Sequence, residues 1–346
     1  MKMCSISKDM RKFITDMPKA ELHVHLEGTV RPETVLKLAE RNSMNYPLKT
    51  VGDIQHALSS RQATLESFLD LHYLLISVIK TGRDFYDITY DFLRTCKENN
   101  VVYVEMKFDP QFHTEQGISF DEMIHQIDDA RKQGYQDLGV KTNLIMCINR
   151  ERSLESAWEM IDQAYPYRHL ITGLGLDSYE KDNPPRKYTE VYESARKQGY
   201  MVTAHCDVNQ ENSIQHIWEC LDLLKTDRID HGVNSIESPE LVEELIKRDI
   251  TLTTCPTWRS PYSGPRDVER IRKMYDAGLK VTLNTDDPAE FNSGFMNQTI
   301  IGATERSNYT KQDLVQFMIN TFDGSWMPRV DKNRFIQDLK NYADSV

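Results

Sequence analysis

The sequence lacks the features of a secreted or membrane-embedded protein. Its six cysteines, at positions 4, 96, 147, 206, 220 and 255, include no Cys-x-x-Cys pair, and we interpret them as free thiols. The amino terminus has no apolar signal-peptide segment, and no run approaches the ~20 apolar residues that a membrane-spanning helix needs. These absences predict a cytoplasmic protein that does not contact a membrane.

The chain also lacks an excess of positive charge. The chain has 42 Lys and Arg against 53 Asp and Glu, which gives a formal net charge of −11. Such a balance disfavours attraction to nucleic-acid phosphates or to an anionic membrane surface. A small uncharged molecule is therefore the expected partner, and association into a homo-oligomer is left open.

Two families of cofactor-binding motif are missing. No Gly-x-Gly-x-x-Gly follows an early strand, and the nearest string, Gly173-Leu174-Gly175, lacks the third glycine that a dinucleotide site needs. The Pro-Cys-x-x-Cys segment of one class of zinc enzyme is absent as well, because Cys255-Pro256 has no second thiol. Since no linker, repeat or low-complexity tract interrupts the chain, we predict a single domain over residues 1–346.

What the sequence does contain is an alternation of short β-rich runs with amphipathic helical stretches, the pattern of repeated βα units. The candidate strands are 20–25, 101–107, 141–147, 170–176, 200–205, 227–230, 250–254 and 280–285. Eight parallel strands joined by crossover helices predict an α/β fold, a TIM (β/α)8 barrel. The stretch 30–100 is too long for one crossover, and its helices are expected to pack over the barrel mouth.

The most informative motif is His23-Val24-His25, which closes the first apolar run. Side chains at i and i+2 of a strand point the same way, so both imidazoles can reach one ion. His205, His231 and Asp286 each follow a later apolar run. Because the carboxyl ends of barrel strands meet at one face, these residues are expected to converge.

Three imidazoles and a carboxylate, from His23, His25, His205 and Asp286, form a donor set that suits zinc, with iron or manganese as alternatives. An open zinc site lowers the pKa of water to ~7, which provides a nucleophile at neutral pH. His231 would then orient that nucleophile or stabilise charge as it attacks. The other interpretation of His231 is a fifth ligand or a support behind the ligands.

Asp287 directly follows Asp286 where a buried strand emerges, so two like charges there need a compensating cation. One carboxylate can bind the metal while Asp287 forms a hydrogen bond with a substrate. The other histidines fall on presumed helices, loops or strand starts, and solvated or packing roles are expected for them. They are His56, His72, His113, His125, His169 and His216.

These residues, in this order, resemble the adenosine/adenine deaminase family of the amidohydrolase superfamily, over nearly the whole chain. The resemblance is carried by the motifs Glu21–Thr29, Phe108–Gln111, Gly175–Glu180, Arg228–Val233 and Asn284–Pro288. Two segments, 108–111 and 175–185, look most like the microbial adenine deaminase branch. The resemblance implies a metal-dependent hydrolase barrel that uses zinc to release ammonia from adenine or a related 6-aminopurine, such as adenosine or an N6-modified adenine.

The family mechanism implies that hydroxide attacks C6 of the purine with the help of His231, that a glutamate passes the proton to the ring nitrogen, and that Asp287 binds N7. Glu27 and Glu180 would line the substrate side of the pocket. Each could instead cap a helix, because acids at strand ends often do so.

The sequence departs from the family after His205. The family pattern is His-x-x-Glu, with the acid as the proton shuttle, whereas this chain has Val208 at the acid's position. Asp207 is the nearest carboxylate, and Glu211 fits if the loop is slightly longer than usual. Either acid could instead be a helix cap or a solvated side chain.

A second departure is Trp258 and Arg259, which stand where the family usually has small polar residues. They could stack on a planar ring and meet an anionic group, or belong to a surface loop. Two other functions stay open at this point: a zinc hydrolase acting on a different heterocycle or modified purine, and a catalytically silent purine-binding protein.

Overall fold

The computed structural model describes residues 5–256, 265–291 and 293–346. Eight strands form one sheet in which the strands follow chain order and all neighbours are parallel. They are β1 (Lys19–His25), β2 (Val101–Phe108), β3 (Lys141–Asn149), β4 (Gly173–Asp177), β5 (Met201–Cys206), β6 (Arg228–His231), β7 (Thr251–Thr254) and β8 (Lys280–Leu283). The predicted (β/α)8 barrel is confirmed, while the prediction of a single domain over 1–346 stays a prediction.

The barrel closes between its first strand and the segment after its last. The backbone N–H of His25 donates to the carbonyl of Asp286 at 3.0 Å, and the N–H of Asp286 donates to the carbonyl of His23 at 3.1 Å. The N–H of Leu22 donates instead to the side-chain oxygen of Asn284, at 2.9 Å. Because this side chain takes the place of a backbone carbonyl, β8 ends at Leu283, earlier than the predicted 285.

Helices surround the barrel between successive strands. Those of the described part of the chain are α1 (Lys8–Asp16), α2 (Pro32–Arg41), α3 (Val51–Ser60), α4 (Leu65–Ile76), α5 (Gly82–Glu98), α6 (Pro110–Glu115), α7 (Phe120–Leu138), α8 (Leu154–Ala164), α9 (Thr189–Lys197), α10 (Ser213–Glu219), α11 (Pro239–Lys247), α12 (Pro265–Asp276), α13 (Met296–Ser307), α14 (Lys311–Gly324) and α15 (Arg329–Asp344). None of them has the length and apolar character needed to cross a membrane.

Successive side chains of β1 alternate between the hydrophobic core and the candidate site. Leu22 and Val24 are fully buried in the main hydrophobic core, while His23 and His25 point the other way. At the barrel mouth, α4 crosses over the strand ends and its Leu65, Phe68, Leu69 and His72 line a cavity there. The predicted placement of the long insertion over the mouth is therefore confirmed for α4.

One helix begins later than the sequence predicts. The pattern over 210–225 predicts a continuous helix, but α10 starts only at Ser213, and a π turn follows it at Cys220–Leu224. Asn209 and Asn212 have φ angles of 58° and 61°, in the left-handed region that asparagine tolerates. The backbone between them is therefore a compact turn, and it contains Glu211.

Candidate active site

The predicted metal ligands converge at the carboxyl ends of their strands. Nε2 of His23 and Nε2 of His25 lie 3.2 Å and 3.5 Å from Oδ1 of Asp286. Nε2 of His205 lies 3.2 Å from Nε2 of His25. Donor atoms of His23, His205, His231 and Asp286 also lie within 4.8 Å of one another. The five residues, drawn from three strands and the segment after β8, thus form one cluster.

Hydrogen bonds behind the cluster fix which nitrogen of each ring faces it. Nδ1 of His23 contacts the carbonyl oxygen of Thr253 at 3.0 Å, and Nδ1 of His205 contacts that of Leu176 at 3.0 Å. A carbonyl can only accept, so Nδ1 carries the proton in both rings and Nε2 presents a lone pair. Nε2 of His23 is buried and has no hydrogen-bond partner.

The protonation states in the cluster also fit a cation. Burial lowers the pKa of His25 and of His205 well below the ordinary value, so both rings are neutral at pH 7. Burial alone would raise the pKa of Asp286, but His23 and His231 lower it below the ordinary value. Neutral imidazoles and an ionised carboxylate are the forms that coordinate a divalent metal, so the donor set fits the predicted ion.

His231 and Asp286 both have unusual backbone conformations. Their φ angles are 57° and 63°, a region that residues with a side chain rarely adopt and that costs ~1–3 kcal/mol each. Burial lowers the pKa of His231 to about 4. Its Nε2 lies 3.7 Å from Oδ2 of Asp286 and 3.4 Å from Oδ1 of Asp207. His231 therefore stands between the ligand cluster and the acid that follows β5.

The two candidate acids after His205 occupy different environments. Asp207 is 7% exposed and lines the cavity together with Val208. Burial and the neighbouring Glu180 raise the pKa of Asp207 well above the ordinary value. Glu211 is exposed and does not line the cavity, because the turn that precedes α10 directs it to the surface. The structure therefore brings Asp207, and not Glu211, to the site.

Asp287 lines the same cavity and is 4% exposed. Its side chain packs directly on the backbone of Gly28, where a Cβ would lie 1.9 Å from its Oδ1. Burial and the charge of Asp286 raise the pKa of Asp287 well above the ordinary value. It thus lines the same cavity as the ligand cluster, and its predicted contact with a substrate stays a prediction.

The cavity has one polar and one apolar side. Phe68 of α4 and Phe291 stack with ring centroids 4.8 Å apart on the apolar side. His72, for which a solvated or packing role was expected, also lines the cavity, and its Nδ1 lies 2.8 Å from Oε1 of Glu290. The sequence offered no signal for it because α4 folds back over the mouth from a distant part of the chain.

Glu27 and Glu180 lie behind the cavity wall, and not on its surface as predicted. Oε1 of Glu27 accepts a hydrogen bond from the backbone N–H of Asp109 at 3.0 Å. Oε2 of Glu180 accepts one from the N–H of Asp207 at 2.8 Å, and its Oε1 lies 2.5 Å from Nδ1 of His216. Both glutamates therefore hold neighbouring backbone in place.

Two further acids, which carry the family resemblance but were assigned no role from the sequence, line the cavity. Asp109 follows β2 and Asp177 ends β4, and the two carboxyl groups lie side by side next to His25. Burial raises the pKa of Asp109 well above the ordinary value and that of Asp177 to about 6. Their positions at strand ends were the available signal. Trp258 and Arg259 fall outside the described residues.

Comparison with known proteins agrees with this geometry. The family model for adenosine deaminase matches residues 18–342. The chain belongs to the adenosine deaminase family. It is 39% identical to an uncharacterised deaminase of Schizosaccharomyces pombe over 97% of this chain and 99% of that protein. It is 38% identical to an adenine deaminase of Acinetobacter baylyi over 95% of this chain and 98% of that protein.

Solved structures extend the similarity to the whole barrel. An adenine deaminase from Arthrobacter aurescens has a TM-score of 0.90 at 30% identity and covers 95% of this chain and 99% of its own. An amidohydrolase from Burkholderia ambifaria with bound Zn has a TM-score of 0.88 at 27% identity and covers 99% and 96%. Membership of this family makes the chain a hydrolytic deaminase, and the cluster at the barrel mouth could hold its metal.

Proposed function

We propose that this deaminase removes the 6-amino group of adenine, or of a closely related 6-aminopurine, with a zinc ion held by His23, His25, His205 and Asp286. The convergence of these four side chains at the barrel mouth, beside Asp287, carries the proposal. Relatives named adenine deaminase support the substrate, and the zinc-bound amidohydrolase supports the metal. The free base is favoured because the 108–111 and 175–185 segments resemble the adenine deaminase branch.

When bound, a divalent ion supplies the nucleophile by lowering the pKa of water. The residues of the chain then position the substrate and move protons. His231 stands beside the ligand cluster, where its imidazole stabilises charge as the attack at C6 proceeds. Asp287 forms a hydrogen bond with N7, which orients the ring so that C6 faces the cluster. The cavity under α4 keeps the base away from bulk water.

Asp207 is the proton carrier in this proposal. Its carboxyl group faces the cavity 3.4 Å from Nε2 of His231. It can pass one proton of the attacking water to N1 of the purine, where that proton stays, and a second, from the new hydroxyl on C6, to the amino group, which leaves as ammonia. The backbone of Asp207 is held by Glu180, which keeps the short side chain directed at the site. Glu211 is too far towards the surface to share this role.

The first test is a substrate panel on zinc-loaded protein, with adenine, adenosine, N6-substituted adenines, cytosine and related heterocycles. Ammonia release and the ultraviolet change of the ring report turnover. Turnover of a 6-aminopurine is the expected result. Turnover restricted to another heterocycle would establish the alternative hydrolase, which the altered loop after His205 favours, and binding of purines without any turnover would indicate a silent binding protein.

The second test separates the two acids. Asp207→Asn keeps the shape of the side chain but removes its proton transfer, so kcat should fall by ~10²–10⁴-fold. Glu211→Gln is the matched control on the same loop and should leave kcat unchanged, because its side chain is exposed. Equal loss in both variants, or no loss in Asp207→Asn, would refute the assignment. The cytoplasmic location and any homo-oligomer stay predictions of the sequence.

A further inference from the structure

His72 and Glu290 form a buried pair at the cavity that the proposed chemistry does not use. His72 lies on α4, Glu290 follows β8, and the two residues are 5% and 2% exposed. Nδ1 of His72 lies 2.8 Å from Oε1 of Glu290. Burial alone would lower the pKa of His72, but Glu290 raises it above the ordinary value, so the contact is a charge-assisted hydrogen bond. It joins two elements that are far apart in the chain.

Glu290 belongs to the same turn as Asp287. The backbone N–H groups of Glu290 and Phe291 both donate to the carbonyl of Asp287, at 2.9 Å and 3.0 Å. One side-chain nitrogen or oxygen from each of His72, Asp287 and Glu290 lies within 4.8 Å of the other two. The pair therefore stands directly beside the carboxyl group that is proposed to bind N7.

The carboxyl group of Glu290 depends on His72 for its position. Within the described part of the chain, Oε2 of Glu290 accepts no hydrogen bond. Arg61 adds positive charge nearby, but its guanidinium lies over the two stacked rings of the apolar side, 5.0 Å and 5.4 Å from their centroids, and its nitrogens have no hydrogen-bond partner. Without His72, the buried acids Asp287 and Glu290 would face each other with no N–H group beside them. That arrangement is costly, and a shift of the turn relieves it.

The turn can shift because it is tied to the barrel at its middle and to α4 at its far end. The N–H of Ala289 donates to the carbonyl of Gly28 at 3.0 Å. Beyond that contact, the turn meets α4 in a hydrophobic cluster that is separate from the main core. The buried residues of this cluster are Leu65, Phe68, Leu69 and Phe291. If the bond to His72 is lost, the turn can pivot about the Gly28 contact, and Asp287 moves with it.

We propose that His72 and Glu290 are positioning residues for Asp287, and that their hydrogen bond holds the turn 287–291 so that the Asp287 carboxyl reaches N7 of the purine. This inference rests on the proposed function and adds to it a pair that acts through Asp287. Loss of the pair weakens the contact to N7. A purine analogue without N7 does not sense that loss.

A double-mutant cycle on the zinc-loaded protein tests the proposal. His72→Phe keeps a ring beside Phe68 but removes the N–H that Glu290 accepts, while Asp287→Ala removes the proposed contact to N7. In His72→Phe, kcat/KM for adenine should fall by ~10–100-fold. Added to Asp287→Ala, the same change should cost less than ~3-fold more, because both substitutions act on one contact. Asp70→Asn, which alters an exposed acid on α4, is the control and should leave kcat/KM unchanged.

Two further measurements distinguish positioning from a general loss of structure. 7-Deazaadenine has a C–H group in place of N7, so its inhibition constant against adenine turnover should change by less than ~3-fold in His72→Phe. His72→Asn, whose amide nitrogen can take the place of Nδ1, should recover most of the activity towards adenine.

Additive losses in the cycle, or an equal loss of affinity for adenine and 7-deazaadenine, would overturn the proposal. If His72→Phe does not fold, Glu290→Gln, which keeps the size of the side chain, replaces it in the cycle. Failure of the proposed function is distinguishable, because the unmodified protein would then not deaminate adenine. In that case dissociation constants from calorimetry replace the kinetic constants, and no binding of adenine also overturns the role of the pair.

Discussion

At the scale of single residues, the site depends on how closely the backbone of Gly28 approaches Asp287. A Cβ at position 28 would lie 1.9 Å from Oδ1 and 2.6 Å from Cγ of Asp287, which is closer than non-bonded atoms can approach. Gly28→Ala should therefore displace the Asp287 carboxyl and lower kcat/KM by ~10²-fold, the usual cost of a misplaced binding group. Steady-state kinetics with adenine, together with the zinc content of the purified variant, measure this effect.

Gly52→Ala is the control for that substitution. A Cβ at position 52 of α3 would meet only Oγ1 of Thr50, at 3.6 Å, so activity should not change. Zinc content should be the same in both variants, because the side chain that a Cβ at position 28 would displace is Asp287 and not one of the proposed ligands. Full activity of Gly28→Ala would mean that the placement of Asp287 does not limit the reaction.

Some functional residues could be predicted from the sequence because the backbone alone fixes their direction. His23 and His25 are two apart on a strand, and barrel topology then brings His205, His231 and Asp286 to them. Asp207 could not be separated from Glu211 in this way. Their directions depend on left-handed residues in the turn before α10, which a sequence pattern does not reveal.

At the scale of elements, Glu180 connects the end of β4 to the loop after β5 and to α10. One of its oxygens accepts the N–H of Asp207 at 2.8 Å, and the other contacts Nδ1 of His216 at 2.5 Å. Arg150 lies 3.6 Å from the same carboxylate and donates to the carbonyl of His205 at 3.0 Å. Glu180 is thus a positioning residue for the proposed proton carrier.

Glu180→Gln should lower kcat by ~10-fold while KM for adenine and zinc content change little. The glutamine side chain has a similar shape, but its NH₂ group would face either the N–H of Asp207 or Nδ1 of His216. One buried hydrogen bond is therefore lost, at a cost of ~1–3 kcal/mol. Glu190→Gln, on the exposed face of α9, is the matched control. A parallel loss of kcat and zinc would instead show that Glu180 supports the whole fold locally.

Strands and helices were predicted correctly where the hydrophobic periodicity is strong. Their ends were misplaced where particular side chains change the backbone hydrogen bonding or conformation. The strands follow the expected runs because buried parallel strands are nearly continuous in apolar residues. β8 is shorter than predicted because Asn284 substitutes for the backbone. The helix predicted over 210–225 begins later because Asn209 and Asn212 form a turn, which the sequence pattern does not reveal.

At the scale of the whole molecule, barrel closure places a buried ion pair among the proposed ligands. Nζ of Lys107 in β2 lies 2.5 Å from Oδ2 of Asp230 in β6, four strands away round the barrel. Asp230 is also 3.4 Å from Nδ1 of His205 and 3.8 Å from Nδ1 of His23. The charges that orient the ligand rings are therefore set by the closed sheet and not by local sequence.

The same closure makes the stability of the barrel depend on its metal. Without a cation, the acids Asp286 and Asp287 face each other in a buried cluster, and a ligand that binds only the folded state adds RT ln(1 + [L]/Kd), ~2.7 kcal/mol at a hundredfold excess over Kd. Chelator-treated protein should thus unfold at a lower temperature in scanning calorimetry, and re-addition of zinc should restore the Tm. Manganese and iron added in parallel compare the alternative ions.

Asp286→Ala is the control variant, because it removes one proposed ligand, and its Tm should respond less to zinc. An identical Tm with and without metal in the unmodified protein would refute a metal site at the barrel mouth.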